Sequence, residues 1–201
     1  GAQVTIVDQA PRIMPREDED VAAAVMRRFT DDGITVLTGF KADAFARDGD
    51  GGVLTVKSDD ETRTLAFDKV LIAIGRKANV EGFGLEALKM PLSQRGTIEV
   101  NQYLQTVYPN IYACGDVAGP YQFTHMASYQ AWFAVLNALL DGLKKFRINY
   151  KVVPWATFTD PEVARVGLSE QEAKEQDIPY ELTHYGIDDL DRAIADNEAH
   201  G

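Results

Sequence analysis

Cysteine is nearly absent: Cys114 is the one cysteine in 201 residues, which excludes an internal disulfide framework and an internal redox pair. Basic charge is also short, with 20 Lys and Arg against 31 Asp and Glu and a formal charge of −11. Loose electrostatic binding to nucleic acid or to an anionic membrane is therefore not expected. Long hydrophobic runs are missing too. The longest, such as Val70 to Ile74, are far too short to cross a bilayer. Gly1-Ala2-Gln3-Val4 shows neither the basic nor the long apolar region of a secretory signal, so the expected location is cytoplasmic. His125, His184 and His200 have no metal-ligand spacing with one another or with Cys114, and no nucleophile elbow occurs.

What is present is a soluble composition, 45% hydrophobic and 25% charged, in a chain long enough to bury a core. Val4 to Val7 reads as a strand, followed by Asp8 and a loop punctuated by Pro11 and Pro15. A helix is expected from about Glu17 to Asp32. Acidic residues fill its first turn, Arg27 and Arg28 lie near its end, and Val21, Val25 and Phe29 form an apolar stripe. Gly33 suits the position past the helix end, and Ile34 to Leu37 reads as the next strand, giving a parallel α/β unit. Lys41 to Arg47, Val53 to Lys57 and Arg63 to Phe67 then read as a meander joined by Gly- and Asp-rich turns.

Val70-Leu71-Ile72-Ala73-Ile74, ended by Gly75, has the pattern of a strand buried on both faces. Ile111 to Cys114 is a second short buried strand, halted by Gly115-Asp116. A helix over about 126–142 places Ala127, Ala131, Ala134, Val135, Ala138 and Leu139 on one face. Val152 to Phe158 reads as a strand opening another module. Ser169 caps a helix to Gln176 with Glu172 completing a capping box, and the last fifteen residues carry no obvious closing element.

Three places could carry chemistry. Asp8, at a strand end, is where a dinucleotide-binding unit accepts hydrogen bonds from ribose hydroxyls, although an Asp there is also an ordinary turn residue. Asp116 follows a strand end where α/β proteins bind ligands, and Gly115 lets a ligand approach the backbone; a plain turn is the alternative. The helix start after Phe123-Thr124-His125-Met126-Ala127 offers unpaired N–H groups to negative charge, with His125 either orienting the turn or serving as hydrogen-bonded structure. Cys114 has no partner and reads as a small hydrophobe.

Taken together, these segments resemble the pyridine nucleotide–disulfide oxidoreductases, along essentially the whole chain. Val4-Thr5-Ile6-Val7-Asp8 is similar to the second strand of the family's nicotinamide domain. Leu71 to Asn79 resembles the return to the flavin domain, with Ala78 where the family usually has proline. Thr106 through Ile111-Tyr112-Ala113-Cys114-Gly115-Asp116 resembles the second flavin motif, and Phe158 to Gly167 the opening of the dimerisation domain. Phe123-Thr124-His125 and Phe158 to Glu162 look more like the mercuric-reductase-like branch than glutathione reductase.

The resemblance implies an α/β fold: parts of two Rossmann-like nucleotide-binding domains, for nicotinamide and FAD, followed by the start of an α+β dimerisation domain. Residues 1–75 would be the C-terminal part of the NAD(P)-binding domain, 76–150 the second FAD-binding segment and 151–201 a truncated dimerisation domain. Asp116 would hydrogen-bond the FAD ribitol with Gly115 allowing the approach, Gly75 would belong to the cofactor-binding return, and Met126 and Ala127 would present N–H groups to the flavin's pyrimidine edge. Asp8 would hold the adenosine ribose of the nicotinamide cofactor and favour NADH over NADPH, with Arg12 nearby acting against that preference.

The resemblance also implies a homodimeric FAD-dependent enzyme. It would pass electrons from NAD(P)H through FAD to a redox-active disulfide, then to a disulfide, metal-ion or related substrate. The redox cysteine pair, the first flavin glycine loop and the His–Glu base pair are not in this chain, so the expectation is an internal stretch, inactive alone. The alternatives are a flavin-dependent NADH oxidase or peroxidase, a ferredoxin reductase without a paired disulfide, and, of another class, a non-catalytic association module.

Overall fold

The structure, a computed structural model, describes residues 1–197; His200 and its neighbours at the C-terminus lie outside them. The chain divides into two compact units: Gly1–Ile72 with the segment from Val152 onward, and Ala73–Lys151.

In the first unit, β1 (Thr5–Asp8) pairs in parallel with β2 (Thr35–Thr38), Thr5 opposite Thr35 and Asp8 opposite Thr38. Parallel strands need a crossover, and α1 (Glu19–Asp31) supplies it. Glu19 and Asp20 in its first turn and Arg28 in its last complement the helix dipole. Val25 and Ala22 are buried, while Val21 and Phe29 of the expected stripe are half-buried flanks. The helix starts two residues later than expected because Glu17 and Asp18 are used elsewhere. Three antiparallel strands follow: β3 (Lys41–Asp48), β4 (Gly51–Lys57) and β5 (Thr62–Phe67), in the order β3-β4-β5. Leu37, Phe40 and Val56 form the core here, with Val7, Leu54 and Leu65 against it.

The C-terminal part of the same unit holds the antiparallel pair β6 (Pro154–Thr157) and β7 (Val163–Val166), then α3 (Glu170–Glu175) and α4 (Asp191–Asp196). The expected capping box is present on α3: Ser169 Oγ accepts from Glu172 N at 3.1 Å and Glu172 Oε2 from Ser169 N at 3.1 Å. α4 falls in the segment expected to carry no closing element.

Residues far apart in sequence stitch this unit together. The Asp18 carboxylate accepts the N–H groups of Glu170 at 3.0 Å and Gln171 at 2.9 Å, capping α3 from the start of α1. Partial burial pushes the Asp18 carboxyl up, but the backbone donors of Gln171 and Glu170 outweigh it and hold the group below the ordinary carboxylate range. Glu17, 6% exposed, takes the indole N–H of Trp155 at 3.0 Å on Oε1 and faces Arg165 Nε at 3.5 Å with Oε2. Arg165 Nη2 reaches Glu172 at 2.8 Å, and its guanidinium stacks 3.9 Å over the Trp155 ring.

The second unit is built from loops around α2 (Thr124–Leu139) and a 3-10 turn at Gly115–Val117. Two small cores hold it, Ala78, Val80, Met90, Ile98 and Ala113 in one and Leu104, Ala134 and Ile148 in the other. Cys114 is half-buried and packs against the second as a small apolar group.

Three expectations are corrected. The apolar run 70–74 is not a strand: Leu71 is 89% and Ile74 93% exposed, and no strand among the described residues pairs with it. Ile111 to Cys114 forms no strand either; Tyr112 makes one isolated bridge to Gln105. The first sequence encodes burial in a sheet, which requires neighbouring strands that local sequence cannot provide; the second is buried, with Ala113 7% exposed, but against loops and α2 rather than between strands. Finally, α2 buries Met126, Gln130, Ala134 and Asn137, while Val135 and Leu139 of the expected face are exposed. The helix packs on loops, whose unpaired backbone groups favour amide side chains over apolar ones.

Candidate cofactor-binding site

Five of the six residues singled out from sequence lie in the second unit. Gly115 opens the 3-10 turn with φ of +77°, a conformation that suits glycine. A Cβ there would sit 3.2 Å from the Ala127 Cβ, so the turn rests directly on the first turn of α2. Asp116 is the next residue, half-buried, at the turn and beside the helix start. Gly75, with φ of +132°, leads into Arg76, whose Nη1 donates to the Gln122 carbonyl at 2.8 Å and lies 3.6 Å from Asp116 Oδ2. The return segment, the Asp116 turn and the residues before α2 are thus in contact. The Arg76–Asp116 pair is half exposed on both sides and worth no more than about 1 kcal/mol.

The helix start alters one expectation. The Ala127 N–H donates to the Phe123 carbonyl at 2.9 Å and closes the first turn of α2, so it is not a spare donor. Its small side chain serves instead to let Gly115 pack closely. Met126, one residue earlier, is at the third helical position, where the N–H lies outside the helix's own ladder. Arg76 was named in sequence only as part of a motif, and its reach to Asp116 across 40 positions has no local signature.

Asp8 belongs to the first unit. It ends β1, and its Oδ1 accepts the Ala10 N–H at 2.8 Å, which leaves Oδ2 as a second acceptor. Arg12 is committed elsewhere: Nη1 donates to the Met14 carbonyl at 2.7 Å, and Nη2 to the Glu17 carbonyl at 2.6 Å and Gln171 Oε1 at 3.1 Å. An open cleft of about 380 Å³ near Glu17, Arg165, Leu168 and Tyr180 contains none of the six residues.

The first unit thus carries a carboxylate at the end of a parallel strand, and the second a glycine–aspartate turn seated on a helix start, both in a mixed α/β fold. Residues 1–131 match the family described as pyridine nucleotide-disulphide oxidoreductase, and residues 153–201 match the dimerisation domain of the same family. The chain belongs to the pyridine nucleotide–disulphide oxidoreductases, a family of enzymes that work with a flavin and a pyridine nucleotide.

Among curated relatives, a mercuric reductase from Staphylococcus aureus is 32% identical over 201 residues, all of this chain and 36% of the relative. A dihydrolipoyl dehydrogenase from Mycobacterium leprae (strain TN) is 37% identical over 176 residues, 87% of this chain and 37% of the relative. Among solved structures, LpdA from Mycobacterium tuberculosis superposes with a TM-score of 0.88 at 27% identity, covering 100% of this chain and 43% of that one. The HOCl-induced flavoprotein disulfide reductase RclA from Escherichia coli gives 0.85 at 28%, covering 100% and 45%. The chain thus spans between a third and a half of the length of these relatives. No helix among the described residues is long and apolar enough to cross a membrane.

Proposed function

We propose that this chain is part of an FAD-dependent oxidoreductase that takes electrons from NADH and delivers them through a redox-active disulfide to a disulfide, metal-ion or related substrate. In this reading residues 1–75 close the NAD(P)-binding domain, 76–150 form the second FAD-binding segment, and 151–201 begin the dimerisation domain of a homodimer. The observation that carries it is the seating of the Gly115–Asp116 turn on the start of α2.

The donor set there suits a flavin. Asp116 offers carboxylate oxygens to ribitol hydroxyls, Gly115 leaves no side chain between turn and helix, and Met126 holds an N–H toward the negative charge that a reduced flavin carries. Bound FAD would accept hydride equivalents from the nicotinamide and pass electrons on, chemistry that belongs to the cofactor. The chain's residues bind and orient it, and Arg76 balances the charge of Asp116. Asp8 would hold the adenosine ribose through Oδ2. With the Arg12 guanidinium tied to loop carbonyls, the carboxylate faces a 2′-phosphate without a compensating cation, which favours NADH. Cys114 has no partner cysteine here, so the redox disulfide would come from sequence outside this chain. The run at 70–74, exposed and unpaired by any strand among the described residues, supports the same reading, because it has the composition of a buried sheet strand.

The test is FAD titration of the full-length protein carrying Asp116→Ala. Loss of hydrogen bonds to a charged acceptor should weaken FAD about 10- to 100-fold. Unfolding of the flavin-free protein should be almost unchanged, because Asp116 makes only a loose, half-exposed ion pair with Arg76. Undiminished affinity refutes the assignment.

A further inference from the structure

One buried polar group in the second unit has no part in the cofactor contacts described so far. Gln130 is fully buried, 0% exposed, at the middle of α2. Its Oε1 accepts the N–H of Gly115 at 2.5 Å, and its Nε2 donates to the Gly119 carbonyl at 2.7 Å and to the Tyr150 hydroxyl at 2.9 Å. All the capacity that a carboxamide brings to a crowded site is directed at the two ends of one loop and at one anchor. The residues between those ends are Asp116, Val117 and Ala118, so the loop held is the one that presents Asp116.

We propose that Gln130 is a positioning residue for the flavin-facing carboxylate, clamping the Gly115–Gly119 loop to α2 so that Asp116 is held in place before FAD arrives. The inference rests on the flavin reading of Asp116. Three features distinguish the clamp from ordinary core packing. A helix face that sequence periodicity assigns to alanine carries an amide at the level of the loop. Both ends of the amide bond backbone, the Gly115 N–H and the Gly119 carbonyl, which fixes the path of the chain and not merely its neighbours. Tyr150 in turn fixes the rotamer of Gln130 and packs 5.7 Å from the Tyr121 ring, just past the loop. Burial raises the Tyr150 hydroxyl above the ordinary phenol range, the Gln130 hydrogen bond offsetting part of that, so the anchor stays protonated near neutral pH. Asn137, two turns on, does the equivalent work for Tyr103 and Phe146 and is remote from Asp116 in the bonding pattern, which makes it the natural control.

The experiment is a double-mutant cycle on FAD affinity in the full-length protein, with Gln130→Met, Asp116→Ala and the pair, and the visible circular dichroism of the bound flavin recorded for each. Gln130→Met should weaken FAD about tenfold, the scale of one well-placed hydrogen bond. The double variant should be scarcely weaker than Asp116→Ala alone, because Gln130 acts through Asp116. The flavin spectrum of Gln130→Met should shift in the direction seen for Asp116→Ala. If Gln130→Met does not fold, Tyr150→Phe frees the anchor and keeps the clamp, and should give the same changes at smaller amplitude. Asn137→Leu, which removes the bonds to the Tyr103 and Phe146 backbone and none to the Gly115–Gly119 loop, should lower the unfolding midpoint without that spectral change. Additive losses, or a Gln130 variant with native affinity and spectrum, overturn the role of Gln130. If Asp116→Ala itself leaves FAD affinity intact, the flavin reading fails and the clamp with it; if only the Gln130 variants are silent, the flavin reading stands alone.

Discussion

Replacing Glu17 by alanine should cost about 3–5 kcal/mol of stability in the unit that contains it, the penalty for stranding a buried charge. Glu17 is nearly sealed from solvent and faces Arg165, whose side chain is 11% exposed. Without Glu17, Arg165 keeps Glu172 at 2.8 Å, but its Nε and Nη1, already without hydrogen bonds, face no second carboxylate. The hydrogen bond from the Trp155 indole N–H to the Glu17 carboxylate is lost as well. Domains are stable by only about 5–15 kcal/mol, so a loss on this scale is a large fraction of the total. Urea unfolding followed by Trp155 fluorescence in a Trp132→Phe background measures it directly. Glu17→Gln keeps an acceptor for Trp155 and should lose less than Glu17→Ala. Equal losses for the two would mean that packing, and not charge, dominates the site.

The second large effect is expected at Gly115. Alanine there meets two obstacles that have separate origins. At φ of +77° an L side chain costs about 1–2 kcal/mol from its own backbone. The new Cβ also lies 3.2 Å from the Ala127 Cβ, and Ala127 is on a helix whose backbone yields little. The turn must then lift away from α2, carrying Asp116 with it. FAD affinity should fall by tenfold or more, together with a loss of roughly 2–3 kcal/mol in stability. Ala127→Gly in the same molecule should relieve the contact and leave the dihedral strain. Partial recovery is therefore the expected outcome, and full recovery would show that the backbone at position 115 is unstrained.

These two sites differ in how visible they are in sequence. The glycine–aspartate turn could be read because its residue types are few and its order along the chain matches a family pattern. The helices α1 and α3 were legible from local chemistry, acidic first turns and a Ser169–Glu172 capping box that forms as written. The Glu17–Arg165–Trp155 cluster was not legible. Glu17 lies 138 positions from Trp155 and 148 from Arg165, and each residue alone looks solvated or ordinary. The same limit explains Arg76, Gln130 and the α2 face. Periodicity predicts which side of a helix is apolar, but a helix lying on loops must answer unpaired carbonyls and N–H groups, and Gln130 and Asn137 do so. In Leu71, Ile72 and Ile74, composition reported the environment that the segment prefers rather than one found among the described residues.

Amide hydrogen exchange of the full-length protein, with and without bound FAD, addresses the site most directly. FAD should slow exchange at residues 115–117 and at Met126, while the β3–β4–β5 meander exchanges at the same rate in both states. Protection confined to the meander, with the Gly115 turn and the start of α2 unaffected by the cofactor, would contradict the flavin reading.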